Sequence, residues 1–281
     1  MKVMVAGSGT MGMGIAQVFA QSGWDVVVYG VRIKSVDRGV DNLNKSLGRL
    51  VEKGKIDEAK KNEIMGRIVK SDQLESGKDC DLIVEAIIEN VEVKKEFFGA
   101  LDEICKEDCI FTSNTSSISI TEISSAVKRK DKFAGIHFFN PAAVMKLIEV
   151  IRGYHTSDET FNKIVSISKE IGKEPVEVKE SPGFVVNKIL IPMINEAICV
   201  LEQGIASAED IDKAMCLGAS HPMGPLSLAD LIGNDVVLNI MDTLYTETGD
   251  GKYRASVYLR KMVRAGKLGK KSGSGFFNYA K

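Results

Sequence analysis

The stretch KVMVAGSGTMGMGIAQVFAQSGWDVVVYG, residues 2–30, decides the fold. Lys2–Ala6 is a short apolar run of strand character. Gly7, Gly9 and Gly12 follow as G-x-G-x-x-G, with Gly14 two residues on. Ile15–Gln21 carries apolar residues at helical spacing, Gly23 closes it, and Asp25–Tyr29 is a second apolar run. Strand, glycine turn, helix and strand in that order distinguish a dinucleotide-binding fingerprint from a chance match. Gly7 permits the tight turn, Gly9 lets backbone approach a pyrophosphate, and Gly12 allows close helix–strand packing. Thr10 and Met11 open a helix whose N-terminus offers N–H groups and a positive dipole end to phosphates.

The fingerprint lacks one part. A carboxylate at the end of the second strand would hydrogen-bond the adenosine ribose hydroxyls and repel a 2′-phosphate. Here that strand ends in Tyr29-Gly30-Val31-Arg32, with Asp25 at its start and Asp37 well past its end. Gly30 with Arg32 close by favours NADP(H), with NAD(H) as the alternative. Arg32 also reads as a plain solvated charge.

The 281 residues carry a formal net charge of −1, are 44% hydrophobic and are 27% charged. One large or two ordinary domains with a substantial core are expected. The near-neutral balance argues against a nucleic-acid surface. No apolar run approaches the ~18 residues of a membrane span, and no secretory signal pattern is visible. Cys80, Cys105, Cys109, Cys199 and Cys216 include no C-x-x-C, and no histidine near Cys105 and Cys109 completes a zinc set. Free thiols, no metal and a cytoplasmic location are expected.

Short apolar runs alternate with helix-like segments through the first 180 residues. Asp81–Ile87 reads as a buried parallel strand. Cys109–Ser113, Phe133–Phe138, Leu147–Ile151 and Pro175–Val178 read as further strands, so the first domain is doubly wound α/β. Leu43–Gly66 reads as two exposed helices inserted after the second strand. The texture changes at Ser181-Pro182-Gly183. Phe184–Gln203 is a long apolar helix containing Pro192. Ser207–Asp210 opens the next helix as a capping box. Leu226–Thr246, with a break at Gly233, and Ser256–Arg264 supply the rest. The expected organisation is a Rossmann-type domain over 1–182, with its helical insertion near 43–66, and an all-helical domain over 183–281. The helical domain carries enough apolar surface to serve substrate binding and homodimerisation.

His137 ends one strand and Glu149 lies in the next. An antiparallel hairpin centred near Ala143 sets them opposite each other. The carboxylate then orients the imidazole and stabilises its protonated form, as a general base for a hydroxyl proton requires. A structural histidine beside an unrelated strand carboxylate is the plainer reading. Asn114, Thr115, Ser116 and Ser117 follow another strand end, where they suit either a substrate oxygen and nicotinamide or ordinary helix capping. Asn187 reads by spacing as a boundary-layer polar residue, and Lys53 as an exposed lysine.

GSGTMG, SNTSS, HFFNP, MKLIEVIRG, SPGFVVNK, HPMGP and GKKSGSGFFNY occur in an order that resembles the 3-hydroxyacyl-CoA dehydrogenase family. The resemblance covers essentially the whole chain and lies nearest the family's bacterial members acting on 3-hydroxybutyryl-CoA. It implies that a short 3-hydroxyacyl-CoA and its 3-oxoacyl-CoA are interconverted by hydride transfer with a nicotinamide cofactor. It implies that His137 is the catalytic base with Glu149 as its paired acid, and that Ser116 and Asn187 hold the substrate's 3-oxygen. Glu89, Lys94 and Asn114 match cofactor-side positions, Asn140 lines the nicotinamide and substrate cleft, and Ser46 and Lys53 match CoA contacts. Gly30 departs from the family, whose NAD-using members carry Asp there. A dehydrogenase of another small hydroxyacid, or a non-catalytic nucleotide-binding or structural protein on the same scaffold, are the competing readings.

Overall fold

Val3–Ala6 is wholly buried because it lies at the centre of a sheet. The computed structural model describes residues 1–279. The chain divides into two compact units, Met1–Glu180 and Ser181–Lys281. The strands of the first are β1 (Lys2–Ala6), β2 (Asp25–Tyr29), β3 (Ile68–Ser71), β4 (Leu82–Glu85), β5 (Ile110–Ser113), β6 (Phe133–Phe138), β7 (Leu147–Arg152) and β8 (Glu174–Lys179). They lie in the order β3-β2-β1-β4-β5-β6-β7-β8. The first six pair in parallel, β6 and β7 pair antiparallel, and β7 and β8 pair in parallel. The chain winds outward from β1 to β3 and returns on the far side at β4. The carboxyl ends of β1 and β4 therefore flank the switch point where ligands bind in open α/β sheets.

The helices of this unit are α1 (Thr10–Gln21), α2 (Ile33–Glu52), α3 (Glu58–Gly66), α4 (Val91–Asp102), α5 (Ile120–Ser124) and α6 (Asp158–Glu170). Two sequence expectations need correction. The first inserted helix begins at Ile33, ten residues before Leu43, and it is not simply exposed. Val36, Gly39, Val40, Leu43 and Leu47 form a buried stripe along it, and Val36, Val40, Leu43 and Leu47 join the core that holds Ile15, Phe19 and Ile64. The charged residues between those apolar positions hid the helical period. Strand β3 is absent from the sequence reading. It is a four-residue edge strand, IVKS, with exposed Val69 and Lys70, too short and too polar to show a period. The opposite edge, β8, accommodates Pro175, which an inner strand would not.

The second unit holds α7 (Val186–Glu202), α8 (Ala208–Gly218), α9 (Pro225–Ile232), α10 (Asn234–Thr248) and α11 (Val257–Arg264) around Ile194, Ile198, Leu226, Met241 and Leu259. Two buried carboxylates explain its motifs. Asp212 accepts the Leu226 and Ser227 N–H groups at 2.8 and 2.9 Å, capping α9. A Cβ at Gly224 would collide with Asp212, which accounts for glycine in HPMGP. Asp230, 1% exposed, accepts the Phe276 and Phe277 N–H groups and pins the GSGFFNY segment. Among the described residues, no helix is long and apolar enough to cross a membrane.

Candidate active site

The glycine turn is shaped for a bound group. A Cβ at Gly7 would lie 2.3 Å from the Ala86 carbonyl oxygen, and one at Gly12 would lie 1.9 Å from that of Gly7. Both neighbours are backbone, so neither position tolerates a side chain. At Gly9 a Cβ would meet nothing within 4 Å: the backbone there faces open space. Gly9 is also the N-cap of α1, with no capping side chain and no acidic residue in the first turn. This cradle fits the pyrophosphate of a dinucleotide.

A groove of about 370 Å³ continues from the cradle. Its walls include Gly9, Thr10 and Met13 from the turn and α1, Ser46 from α2, and Asn140 and Ala142 from the loop between β6 and β7. The structure thus brings Ser46, Thr10 and Asn140 to one surface. Lys53 lies beyond it as the exposed C-cap of α2, seven residues past Ser46. Seven residues is about two turns, or about 10 Å along the axis, on the same helix face.

The dyad stands where hairpin register puts it. His137 pairs with Glu149 across β6 and β7. His137 Nδ1 lies 2.8 Å from Glu149 Oε2, and Nε2 lies 3.2 Å from Ser116 Oγ. An ionised carboxylate only accepts, so Nδ1 carries a proton and donates it. In the neutral ring Nε2 is then the lone-pair nitrogen, and the Ser116 hydroxyl donates to it. His137 is 4% exposed and Glu149 1%, and Phe139 packs against the ring at 4.6 Å.

Ser116 is held by a network that runs inward from exposed Glu89 to buried Lys94 and Glu85. Glu89 accepts the Ser116 N–H at 3.0 Å and the Thr115 hydroxyl. Lys94, 1% exposed, bridges Glu89 and Glu85 at 3.1 and 2.6 Å. Glu85, fully buried, also accepts from Ser113 Oγ and the Ile87 N–H. Asn114 Oδ1 accepts the Phe138 N–H at 2.8 Å, tying this loop to the strand that carries His137. Lys94 therefore reaches the site through Glu89, not as a solvent-facing cation.

Gly30 and Arg32 lie at the entry to α2. A Cβ at Gly30 would stand 2.9 Å from Val36 Cγ2 and 3.6 Å from Ser8 Oγ. Arg32 is the exposed N-cap, and the first turn of α2 holds no acid. Asn187 lies in the first turn of α7, buried within the helical unit.

Sequence reasoning missed Glu85 and Lys173. Glu85 left a sign, since a carboxylate ending the apolar run LIVE must find a partner. Lys173, between α6 and β8, left none. It is 7% exposed and donates to the Ala142 and Met145 carbonyls at 2.6 and 2.8 Å. Burial pushes its ammonium below the usual lysine range. All five cysteines are unbridged, and burial pushes the Cys80 thiol up to about 12. No group of three or more His, Cys, Asp or Glu among the described residues could hold a metal ion.

Fold and site together define a nicotinamide-dinucleotide enzyme class. Residues 2–181 match the model for the NAD binding domain of 3-hydroxyacyl-CoA dehydrogenase, and residues 183–279 match its C-terminal domain. The chain belongs to the 3-hydroxyacyl-CoA dehydrogenase family. It is 55% identical over 281 residues to the 3-hydroxybutyryl-CoA dehydrogenase of Clostridioides difficile, covering 100% of both. It is 43% identical over 284 residues to the mitochondrial hydroxyacyl-coenzyme A dehydrogenase of Homo sapiens, covering 99% of this chain and 90% of that protein. The crystal structure of (S)-3-hydroxybutyryl-CoA dehydrogenase from Ralstonia eutropha superposes with a TM-score of 0.95 at 48% identity, covering 100% of this chain and 99% of that one.

Proposed function

We propose that this chain interconverts 3-hydroxybutyryl-CoA and acetoacetyl-CoA, with NADP(H) preferred over NAD(H). The observation that carries the reading is the His137–Glu149 pair, set in register on one hairpin with the Ser116 hydroxyl 3.2 Å from Nε2. The nicotinamide, when bound, supplies or accepts the hydride at substrate C3. Glu149 accepts the Nδ1–H hydrogen bond, which leaves Nε2 to act as the base. In oxidation Nε2 accepts the hydroxyl proton, and Glu149 stabilises the imidazolium that forms. In reduction the imidazolium returns a proton to the developing alkoxide, and Ser116 hydrogen-bonds that oxygen. Glu89, Lys94 and Asn114 position the loop that carries Ser116. Gly7, Gly9, Thr10, Met11 and Gly12 would hold the pyrophosphate, and Ser46, Lys53 and Asn140 the CoA and cleft side.

The cofactor preference rests on Gly30 and what surrounds it. No carboxylate stands at the end of β2. Arg32 and Lys34 are exposed at the acid-free first turn of α2, with Ser8 beside Gly30. A phosphate finds donors there. The reading also includes a cytoplasmic homodimer. An apolar groove of about 390 Å³ in the helical unit, lined by Met193, Ala197, Val200, Ile205, Ile211 and Met215, supports pairing of two copies there.

Initial rates with acetoacetyl-CoA and either reduced cofactor test the proposal. kcat/KM should favour NADPH by about 10- to 100-fold, the value of one charge-assisted contact. A tenfold preference for NADH removes the NADP assignment, and no turnover with either removes the substrate.

A further inference from the structure

Lys173 is a buried cation with an unusual set of partners. Its two hydrogen-bond acceptors are main-chain carbonyls, and no carboxylate pairs with it among the described residues. Burying an ammonium is costly unless its donors are used well. Here both bonds go to the loop between β6 and β7. That loop is a turn closed on its inner side, where the Val144 and Met145 N–H groups both donate to the Pro141 carbonyl. Lys173 closes it from the other side through Ala142 and Met145. The anchor is itself fixed: the Lys173 N–H donates to the Ser168 carbonyl at the end of α6, and the Glu174 N–H donates to Lys146 as β8 begins.

The clamped loop supplies Asn140, Pro141, Ala142, Ala143 and Val144 to the groove wall that faces the glycine turn and Ser46. The fit is tight at one point, since a Cβ at Gly14 would lie 3.1 Å from that of Ala142. Any shift of Ala142 therefore changes the width of the groove.

We propose that Lys173 is a positioning residue that fixes this wall of the groove and so sets affinity for the acyl-CoA without touching it. Charge-assisted bonds suit the task, being shorter and roughly twice as strong as neutral ones. The binding half of the claim rests on reading the groove as the acyl-CoA site.

Lys173→Met keeps length and packing but removes both donors. KM for acetoacetyl-CoA should rise about five- to tenfold while kcat stays within about threefold, because His137 and Glu149 are held by the strands and not by the turn. Hydrogen exchange at the Val144 and Met145 amides should quicken, with the amides of β6 and β7 unchanged. Lys173→Arg, which restores charge and donors, should lie nearer wild type in both measurements. If the Met variant does not fold, Lys173→Leu, which also lacks donors, takes its place with the same expectations. Unchanged exchange at Val144 and Met145 in a folded variant overturns the clamp. Quickened exchange with wild-type KM overturns its role in binding. The underlying site assignment fails separately, if Asn140→Ala and Lys53→Ala both leave KM where it was.

Discussion

Glu149 contributes a negative charge as well as a hydrogen-bond acceptor, and one substitution separates the two. In Glu149→Gln the amide oxygen can still accept from Nδ1, so ring orientation survives while the charge is lost. The imidazolium formed during oxidation then lacks its counter-charge. kcat should fall by about 10²-fold, the usual scale of general acid–base catalysis. Stopped assays on the folded variant check this, and an unchanged kcat would show that Glu149 acts through geometry alone. The pair was legible in the sequence because hairpin register is arithmetic: strands centred near Ala143 set 137 against 149, as found. The Glu85–Lys94 pair and the Lys173 contacts were not legible. Their burial depends on partners distant in the chain or on carbonyls of a remote turn, and neither leaves a periodic mark.

At the scale of the element, the passage from β2 into α2 carries cofactor choice. Restoring a carboxylate at residue 30 alone meets an obstacle. The new Cβ would press on Val36 Cγ2 at 2.9 Å, and a β-branched side chain on a helix has little rotamer freedom to yield. Gly30→Asp with Arg32→Leu should therefore move preference toward NADH only partly, and adding Val36→Ala should complete the shift. Ratios of kcat/KM for the two cofactors across the three variants read this. An equal switch with and without Val36→Ala would show that the strand end relaxes freely. The far end of α2 offers a second test. Lys53→Ala should raise KM for acetoacetyl-CoA about three- to tenfold at low salt, and leave kcat nearly unchanged, as expected for binding made equally in ground and transition states. A KM that does not respond to the substitution at any salt concentration would place CoA elsewhere. The start of α2 escaped the sequence reading although Val36, Val40, Leu43 and Leu47 recur at helical intervals. Charged residues between them masked the stripe, and a helix this polar declares itself only through the sheet it covers. Strand β3 has the converse problem, since its four residues are recruited by pairing with β2 and not by their own pattern.

Across the whole molecule, the α/β unit and the helical unit each hold a core of their own. The change in sequence texture at Ser181–Gly183 falls where the chain passes from one to the other. The doubly wound order, the glycine cradle at the switch point and the helical unit were readable because each leaves a local mark: strand runs, fixed glycine spacing, helical periods. What the site does with them depends on one proton. The most direct measurement is the rate of acetoacetyl-CoA reduction by His137→Gln beside wild type, with reduced-cofactor affinity measured on both. The account predicts a kcat lower by at least about 10²-fold, with cofactor binding and folding unchanged. Near-normal turnover in the folded variant would contradict it, and would mean that another group moves the proton.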